Sequence, residues 1–129
     1  HVQITLDDVT RAKAEHPQAL FVVHPECPPG IQDLADHITS TSGMLRYCKE
    51  STHKEFIIGT EEGLLHRLKK ESPDKRFYIL SRKMVCPNMK RTKLDSVLAA
   101  MEKMQYVIKV PENIRIPAKR ALDRMLEIA

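Results

Sequence analysis

The sequence has 129 residues, of which 42% are hydrophobic and 29% are charged, and its formal net charge is +4. This composition is enough for one hydrophobic core and excludes a disordered chain. No stretch approaches the roughly 20 apolar residues of a membrane span, and the first residues do not resemble a signal peptide. We therefore expect a soluble, cytoplasmic protein that does not bind a membrane.

Apolar and polar stretches alternate along the chain in a pattern of strands followed by helices. Strands that alternate with helices of about ten residues are typical of βαβ units. We therefore expect an α/β fold, a three-layer α/β/α arrangement with a parallel sheet, followed by C-terminal helices. In chain order, the predicted elements are helix 6–16, strand 19–23, helix 31–37, strand 38–39, helix 44–48, strand 56–58, helix 61–71, strand 77–80, helix 93–104, an extended segment 106–110 and a helix from 111.

The two C-terminal helices carry apolar residues at helical spacing, which predicts faces that pack on a core. These apolar positions are Leu94, Val97, Leu98 and Met101 in the first helix, and Ile116, Ala121, Leu122, Met125 and Leu126 in the second.

The first clear strand ends directly at polar side chains. Its apolar run, 19–23, stops at His24-Pro25-Glu26, and a turn of two prolines and a glycine follows at 28–30. Ligands of open α/β sheets collect beyond the carboxyl ends of parallel strands, where a histidine and a carboxylate can act as a general acid/base pair. Taken alone, the pattern fits a loop histidine and an exposed glutamate equally well.

A hydroxyl-rich turn, Ser40-Thr41-Ser42-Gly43, leads into the predicted helix 44–48. Free backbone N–H groups at a helix N-terminus, together with side-chain hydroxyls, can bind a carboxylate or a phosphate. Ordinary N-capping by serine or threonine is the simpler explanation of the same residues.

The three cysteines, Cys27, Cys48 and Cys86, are odd in number and widely spaced, and no CxxC motif is present. This spacing argues against a disulfide framework and against a self-contained zinc site. Cys86 lies shortly after the predicted strand 77–80, so it also falls beyond a strand end.

Basic residues are dense around this cysteine, at Arg82, Lys83, Lys90, Arg91 and Lys93. Such a patch could attract nucleic acid, but no aromatic residue is interleaved with it to stack on bases. A phosphorylated or carboxylate substrate fits at least as well, and a solvated charged face is the simplest explanation of most of these residues.

Four motifs in this order resemble those of the quinolinate synthase family, and together they extend from residue 24 to residue 90. They are His24-Pro25-Glu26-Cys27, then Ala35-Asp36 with Ser40-Thr41-Ser42-Gly43-Met44, then Phe56-Ile57-Ile58-Gly59-Thr60-Glu61-Glu62-Gly63-Leu64, and finally Val85-Cys86-Pro87-Asn88-Met89-Lys90.

The resemblance implies a transferase of NAD biosynthesis that condenses iminoaspartate (iminosuccinate) with dihydroxyacetone phosphate. Enzymes of this family carry a four-iron four-sulfur (4Fe-4S) cluster held by three cysteines, one from each of three similar α/β domains. By the same resemblance, Cys86 is the third cluster cysteine, and Cys27 is not a ligand. His24, Pro25 and Glu26 form the active-site motif, with His24 and Glu26 catalytic. Thr41, flanked by Ser40 and Ser42, supplies the hydroxyl of a substrate-binding turn.

Members of this family are more than twice as long as this chain, so the resemblance implies a C-terminal portion of the enzyme. Residues 1–18 would end the preceding domain, residues 19–90 would form the third α/β domain, and residues 91–129 the C-terminal helices. A single cluster cysteine cannot hold the cluster, and we expect the chain alone to be inactive. Its partners would be the two substrates and the remaining N-terminal part of the enzyme, without nucleic acid.

Two other functions are compatible with the residues. One is a non-catalytic α/β module that binds phosphate or nucleic acid through the basic segment, with an affinity that falls steeply as salt rises. The other is a purely structural domain that docks onto a catalytic partner chain.

Overall fold

The computed structural model of the chain describes residue 1 and residues 3–128. Residues 2 and 129, which the predicted domain limits include, lie outside the described residues. The chain divides into two compact units, residues 1–87 and residues 88–129. Among the described residues, no helix combines the length and the apolar character that crossing a bilayer requires.

The first unit is built on a parallel sheet of four strands, whose spatial order is β2-β1-β3-β4. Because all the strand pairs are parallel, the carboxyl ends of the four strands meet at one edge of the sheet. The strands are β1 (Leu20–Val23), β2 (His37–Ile38), β3 (Glu55–Gly59) and β4 (Arg76–Ile79). The helices of this unit are α1 (Leu6–Glu15), α2 (Pro29–Gln32), α3 (Thr41–Glu50) and α4 (Leu64–Glu71).

Alternate residues of the strands pack into two separate hydrophobic cores, one on each face of the sheet. On one face, Phe21, Val23 and Ile57 contribute to a cluster with residues of α1 and α2. On the other face, Val22 and Ile58 contribute to a cluster with residues of α3 and α4. The predicted three-layer α/β/α arrangement with a parallel sheet is therefore confirmed.

Helix α1 begins at Leu6, as predicted, with Thr5 as its N-cap, and it belongs to the first unit. The Thr5 side chain accepts a hydrogen bond from the Asp8 N–H while the Asp8 carboxylate accepts one from the Thr5 N–H, which is a capping box. Val9 and Ala12 bury this helix against the sheet. The assignment of residues 1–18 to a preceding domain stays a prediction.

Helix α3 is longer than predicted at both ends because each end is capped. Ser40 caps its N-terminus by accepting a hydrogen bond from the Gly43 N–H, so the helix already begins at Thr41. At its C-terminus the buried ammonium of Lys75 donates to the carbonyls of Cys48, Lys49 and Ser51. A cation at this end also interacts favourably with the helix dipole.

The second unit contains α5 (Leu94–Lys103) and α6 (Glu112–Ile128), and neither helix buries any of its described residues. The apolar positions predicted to pack on a core are exposed instead, for example Leu94 at 83% and Met101 at 71%. Helical spacing predicts that one side of a helix is apolar, but it cannot say what covers that side. Pro117 lies inside α6, which continues through this residue.

Candidate active site

The carboxyl end of β1 brings His24 and Glu26 together with a third residue, His1. The His1 Nδ1 atom lies 3.0 Å from the Glu26 Oε2 atom, and the His24 Nδ1 atom lies 3.9 Å from the same oxygen. The rings of His1 and His24 stack with their centroids 4.7 Å apart. The two residues predicted as an acid/base pair thus lie in a cluster of three side chains, and their catalytic role stays a prediction.

Hydrogen bonds fix the orientation of both histidines. The Glu26 N–H donates to Nδ1 of His24 at 3.2 Å, an arrangement that leaves the ring proton of neutral His24 on Nε2. Nε2 of His1 lies 3.1 Å from the Thr60 hydroxyl. When His1 donates from Nδ1 to Glu26, its Nε2 accepts from that hydroxyl. Thr60 directly follows β3, so two neighbouring strand ends hold this cluster.

The three side chains differ in their access to solvent. The side chains of His1 and His24 are 21% and 16% exposed, whereas that of Glu26 is 71% exposed. A reachable carboxylate next to two partly buried imidazoles can exchange protons with a bound molecule, because all three groups lie within reach of one another. Each residue also offers one ligand atom to a metal ion, and these atoms lie within 4.8 Å of one another.

Sequence reasoning missed His1 and Thr60 as members of this cluster. His1 belongs to no recognisable motif, and no spacing rule relates it to His24. Thr60 had a weak signal, since it directly follows β3 just as His24 follows β1. The contact between the strand ends depends on the pairing of β1 with β3 in the sheet.

Pro25, between His24 and Glu26, contributes through its backbone. Its carbonyl accepts a hydrogen bond of 2.9 Å from the Gln32 side chain, which also donates to the Cys27 carbonyl. These bonds tie the loop after β1 to helix α2. The loop is therefore held at its base while Glu26 reaches solvent.

The hydroxyl-rich turn lies at the same sheet edge, directly after β2. The Thr39 N–H donates to the Val23 carbonyl at 3.0 Å, which holds the start of the turn beside the end of β1. The Ser40 hydroxyl is used as the N-cap of α3, so the simple capping explanation holds for this residue. Thr41 and Ser42 are exposed in the first turn of the helix.

Gly43 allows the turn to close tightly. A Cβ atom added at this position would lie 1.9 Å from the Thr39 hydroxyl oxygen, far below any van der Waals contact. Only glycine therefore fits between Thr39 and the first turn of α3 in this conformation.

Cys86 follows β4 and is the one cysteine with a partly exposed side chain, since Cys27 and Cys48 are buried. The chain before it is held next to the end of β3, because the Glu62 N–H donates to the Met84 carbonyl at 2.8 Å. Cys86 thus lies two residues beyond a backbone contact between the segment after β4 and the segment after β3.

The two buried cysteines are poorly suited to bind a metal. Burial raises the pKa of the Cys27 thiol, whose Sγ donates to the Gly59 carbonyl at 3.4 Å. Burial likewise raises the pKa of Cys48 to about 11. Among the three cysteines, Cys86 is the one whose side chain is partly exposed, so its sulfur is accessible to an iron–sulfur cluster. Cys86 therefore fits an iron–sulfur cluster as one of its ligands, and the cluster would need further cysteines from outside this chain.

The chain is similar in sequence to proteins of one known family. A family model described as "Quinolinate synthetase A protein" matches residues 1–127. The chain is 59% identical to a quinolinate synthase of Thermodesulfovibrio yellowstonii and 56% identical to one of Geotalea uraniireducens. It is 53% identical to a quinolinate synthase of Methanosarcina barkeri.

Each of these three matches extends over 128 residues, which are 99% of this chain and 42% of the relative. The chain thus spans less than half the length of the curated relatives that it matches. With a family model that matches nearly all of its residues, the chain belongs to the quinolinate synthase family.

Proposed function

We propose that the chain forms one part of the active site of a quinolinate synthase that works in the cytoplasm. The reaction would condense iminoaspartate with dihydroxyacetone phosphate, with loss of phosphate and water, in NAD biosynthesis. The observation that supports this most strongly is the cluster of His1, His24 and Glu26 at the carboxyl end of a parallel sheet. Imine formation and dehydration both need protons to move, which such groups can do.

The hydrogen bonds of the cluster suggest how the protons are handled. His24 carries its ring proton on Nε2 when Nδ1 accepts from the Glu26 N–H, so it can donate that proton to a substrate oxygen. The Glu26 side chain is exposed, and its carboxylate can accept a proton from a substrate carbon or nitrogen. His1, whose Nδ1 lies 3.0 Å from the Glu26 carboxylate, would keep that carboxylate oriented and could exchange a proton with it.

The turn after β2 would bind a carboxylate of the substrate. Thr41 and Ser42 are exposed in the first turn of α3, where backbone N–H groups lack partners within the helix. The helix dipole favours a negative charge at this end. Ser40 supports the turn as the N-cap of α3, with its hydroxyl accepting a hydrogen bond from the Gly43 N–H.

Cys86 would be the ligand that this chain supplies to a 4Fe-4S cluster. When bound, the cluster would offer an iron with an open position, which polarises a substrate oxygen as a Lewis acid. The thiolate comes from the segment after β4, and the other cysteines would come from the remaining part of the enzyme. A chain with one suitable thiol should therefore be inactive by itself.

The remaining part of the enzyme is the principal partner in this proposal. The relatives are more than twice as long as this chain, and α5 and α6 bury none of their described residues. We propose that this remaining part covers the apolar sides of the two helices. Burial of such sides would stabilise the assembled enzyme at about 25 cal/mol per Å² of apolar surface removed from water.

The test is quinolinate formation by the chain assembled with the remaining part of a quinolinate synthase, under anaerobic conditions. His24→Ala and Glu26→Gln should each reduce kcat by about 100-fold or more, because each removes a group that moves a proton. Asp74→Asn is the control, since Asp74 lies on the surface and pairs with Lys54. Unchanged turnover in both site variants would instead favour a purely structural role for this chain.

Cys86→Ser tests the cluster separately from proton transfer. We expect the iron content and the visible absorbance of the assembled enzyme to fall, while its folded structure remains. A bare chain that forms quinolinate without the remaining part would contradict the proposed division of the active site. Binding of nucleic acid that weakens steeply with salt, without any turnover, would favour the non-catalytic alternative.

A further inference from the structure

Asp8 of α1 carries a buried carboxylate that is hydrogen-bonded well beyond the needs of a helix cap. The residue is 2% exposed. Its Oδ2 atom accepts from the N–H and the hydroxyl of Thr5, at 3.0 and 2.9 Å. Its Oδ1 atom accepts from Nη2 of Arg11 at 2.7 Å. These partners lie within or directly before the same helix.

Two further donors reach Asp8 from the segment that follows β4. The Ser81 hydroxyl lies 3.3 Å from Oδ1, and Nζ of Lys83 lies 3.2 Å from Oδ2. The Ser81 hydroxyl in turn accepts from the Lys83 N–H at 3.3 Å. One carboxylate thus connects α1 to two residues of the chain that leads to Cys86.

The same segment is also held on its other side. Met84 is 4% exposed and belongs to the core cluster that contains Val9 of α1. Its N–H donates to the Ser81 carbonyl at 3.1 Å, and its carbonyl accepts from the Glu62 N–H at 2.8 Å. Cys86 comes two residues later, within about 7 Å of extended chain from Met84. The position of the thiol therefore depends on the contacts of residues 81–84.

A capping box alone would not require burial of the carboxylate. Such boxes normally form at helix ends that water can reach, whereas a buried charge is costly unless it is fully paired. Asp8 is paired by groups of two separate elements, and the second of these elements carries Cys86. This distribution of partners points to a role in holding the segment, in addition to stabilising the helix.

We propose that Asp8 is a positioning residue for Cys86. Its carboxylate binds Ser81 and Lys83 and thereby holds the Cys86 thiol in the position from which it would bind the cluster. This inference rests on the proposed function, in which Cys86 is a cluster ligand.

The first test measures the reactivity of Cys86 in the assembled enzyme after its cluster has been removed. Iodoacetamide labelling is followed on the tryptic peptide 84–90, or 83–90 in Lys83→Met, neither of which contains another cysteine. Asp8→Asn should increase the labelling rate of Cys86 about tenfold, because local opening of the segment becomes easier. Lys83→Met and Ser81→Ala should change the rate in the same direction by smaller factors, and Lys83→Arg should restore the wild-type rate.

Lys75→Met serves as the matched control for a general loss of stability. Lys75 caps α3 by bonds to carbonyls of residues 48, 49 and 51, and no hydrogen bond connects its side chain to the segment before Cys86. Compared at the same interval below its own melting temperature, this variant should label Cys86 at the wild-type rate. Equal acceleration in Asp8→Asn and Lys75→Met would overturn the proposal, since it would reduce Asp8 to a stabilising residue.

The second test measures cluster assembly. After reconstitution with iron and sulfide, the Asp8→Asn enzyme should hold at least about twofold less iron than the Lys75→Met enzyme, with an altered electron paramagnetic resonance spectrum of the reduced cluster. Wild-type loading and spectrum in Asp8→Asn would overturn the inference. If Asp8→Asn does not fold, the iron content and spectrum of Lys83→Met and Ser81→Ala are compared with those of Lys75→Met instead, because these two variants retain the Asp8 carboxylate.

The outcomes also separate this inference from the proposed function. Full iron content in Cys86→Ser would contradict the role of Cys86 as a ligand, whatever Asp8 does. Loss of iron in Cys86→Ser but not in Asp8→Asn would support Cys86 as a cluster ligand and would contradict the positioning role of Asp8.

Discussion

The imidazole of His1 stacks on the imidazole of His24 with an angle of 12° between the two rings. Nδ1 of His1 lies 3.0 Å from the Glu26 carboxylate, whereas Nδ1 of His24 accepts from the Glu26 N–H. Each histidine thus contacts a different group of Glu26 while the two rings contact each other, and a change in one of the three residues should affect the other two.

His1→Ala should reduce kcat of the assembled enzyme by about 10- to 100-fold, because it removes the hydrogen bond and the ring that orient Glu26 and His24. The effects of His1→Ala and His24→Ala should be far from additive, since both residues contact Glu26. Steady-state kinetics of the two single variants and the double variant measure this coupling. Strict additivity would show that the two histidines act independently.

Asp8 should make the stability of the first unit depend on pH at the acid end. Burial raises the pKa of this carboxyl, but hydrogen bonds from Thr5 and Lys83 and the charge of Lys83 outweigh it and lower the pKa from 3.8 to about 2. Because the folded-state pKa is depressed, the stabilisation is fully present above about pH 4 and is lost as pH falls toward 2.

The expected difference in unfolding free energy between the wild type and Asp8→Asn is about 1 to 2 kcal/mol at pH 7. This difference should shrink as pH falls from about 4 to about 2, where the wild-type carboxyl becomes protonated as well. Urea unfolding of both proteins at pH 7, 4 and 2 measures it. A difference that stays constant over this range would mean that the charge of Asp8 contributes nothing.

Lys75→Met should destabilise the first unit by about 2 to 3 kcal/mol, because three carbonyls at the end of α3 lose a charged donor. Lys69→Met is the matched control, since Lys69 is exposed on α4 and should cost less than about 0.5 kcal/mol. Thermal unfolding followed by circular dichroism compares the two. Equal melting temperatures would contradict the capping role of Lys75.

Gly43→Ala should destabilise the turn before α3 by about 1 to 3 kcal/mol, because the new methyl group would overlap the Thr39 hydroxyl. Thr39→Ala should relieve much of this cost in the double variant. Gly30→Ala is the control, since a Cβ atom at that position meets no atom within 4 Å. Denaturant midpoints of the four variants test this, and similar losses at both glycines would argue against the steric explanation.

Much of the fold could be predicted because it depends on local patterns. The alternation of apolar runs with helical periodicity predicts the parallel sheet and the helices on its two faces. The C-terminal end of α3 could not be predicted from local patterns, because the residue that caps it, Lys75, is distant in sequence. The apolar sides of α5 and α6 were predicted to pack on a core, but they are exposed in the part of the chain that the structure describes. The reason is related, since periodicity shows which side of a helix is apolar and not which element packs against it.

For the site, His24, Glu26 and Cys86 could be predicted as functional residues from sequence alone, because each directly follows a strand or lies shortly beyond one, and these roles stay predictions. The resemblance to the quinolinate synthase family was also readable from the sequence, and family comparison confirmed it. The contact of His1 with His24 and the bonds of Asp8 to the segment before Cys86 are visible only in the folded chain. Both contacts connect distant parts of the chain, and only the pairing of the strands and the packing of α1 on the sheet bring those parts within hydrogen-bonding distance.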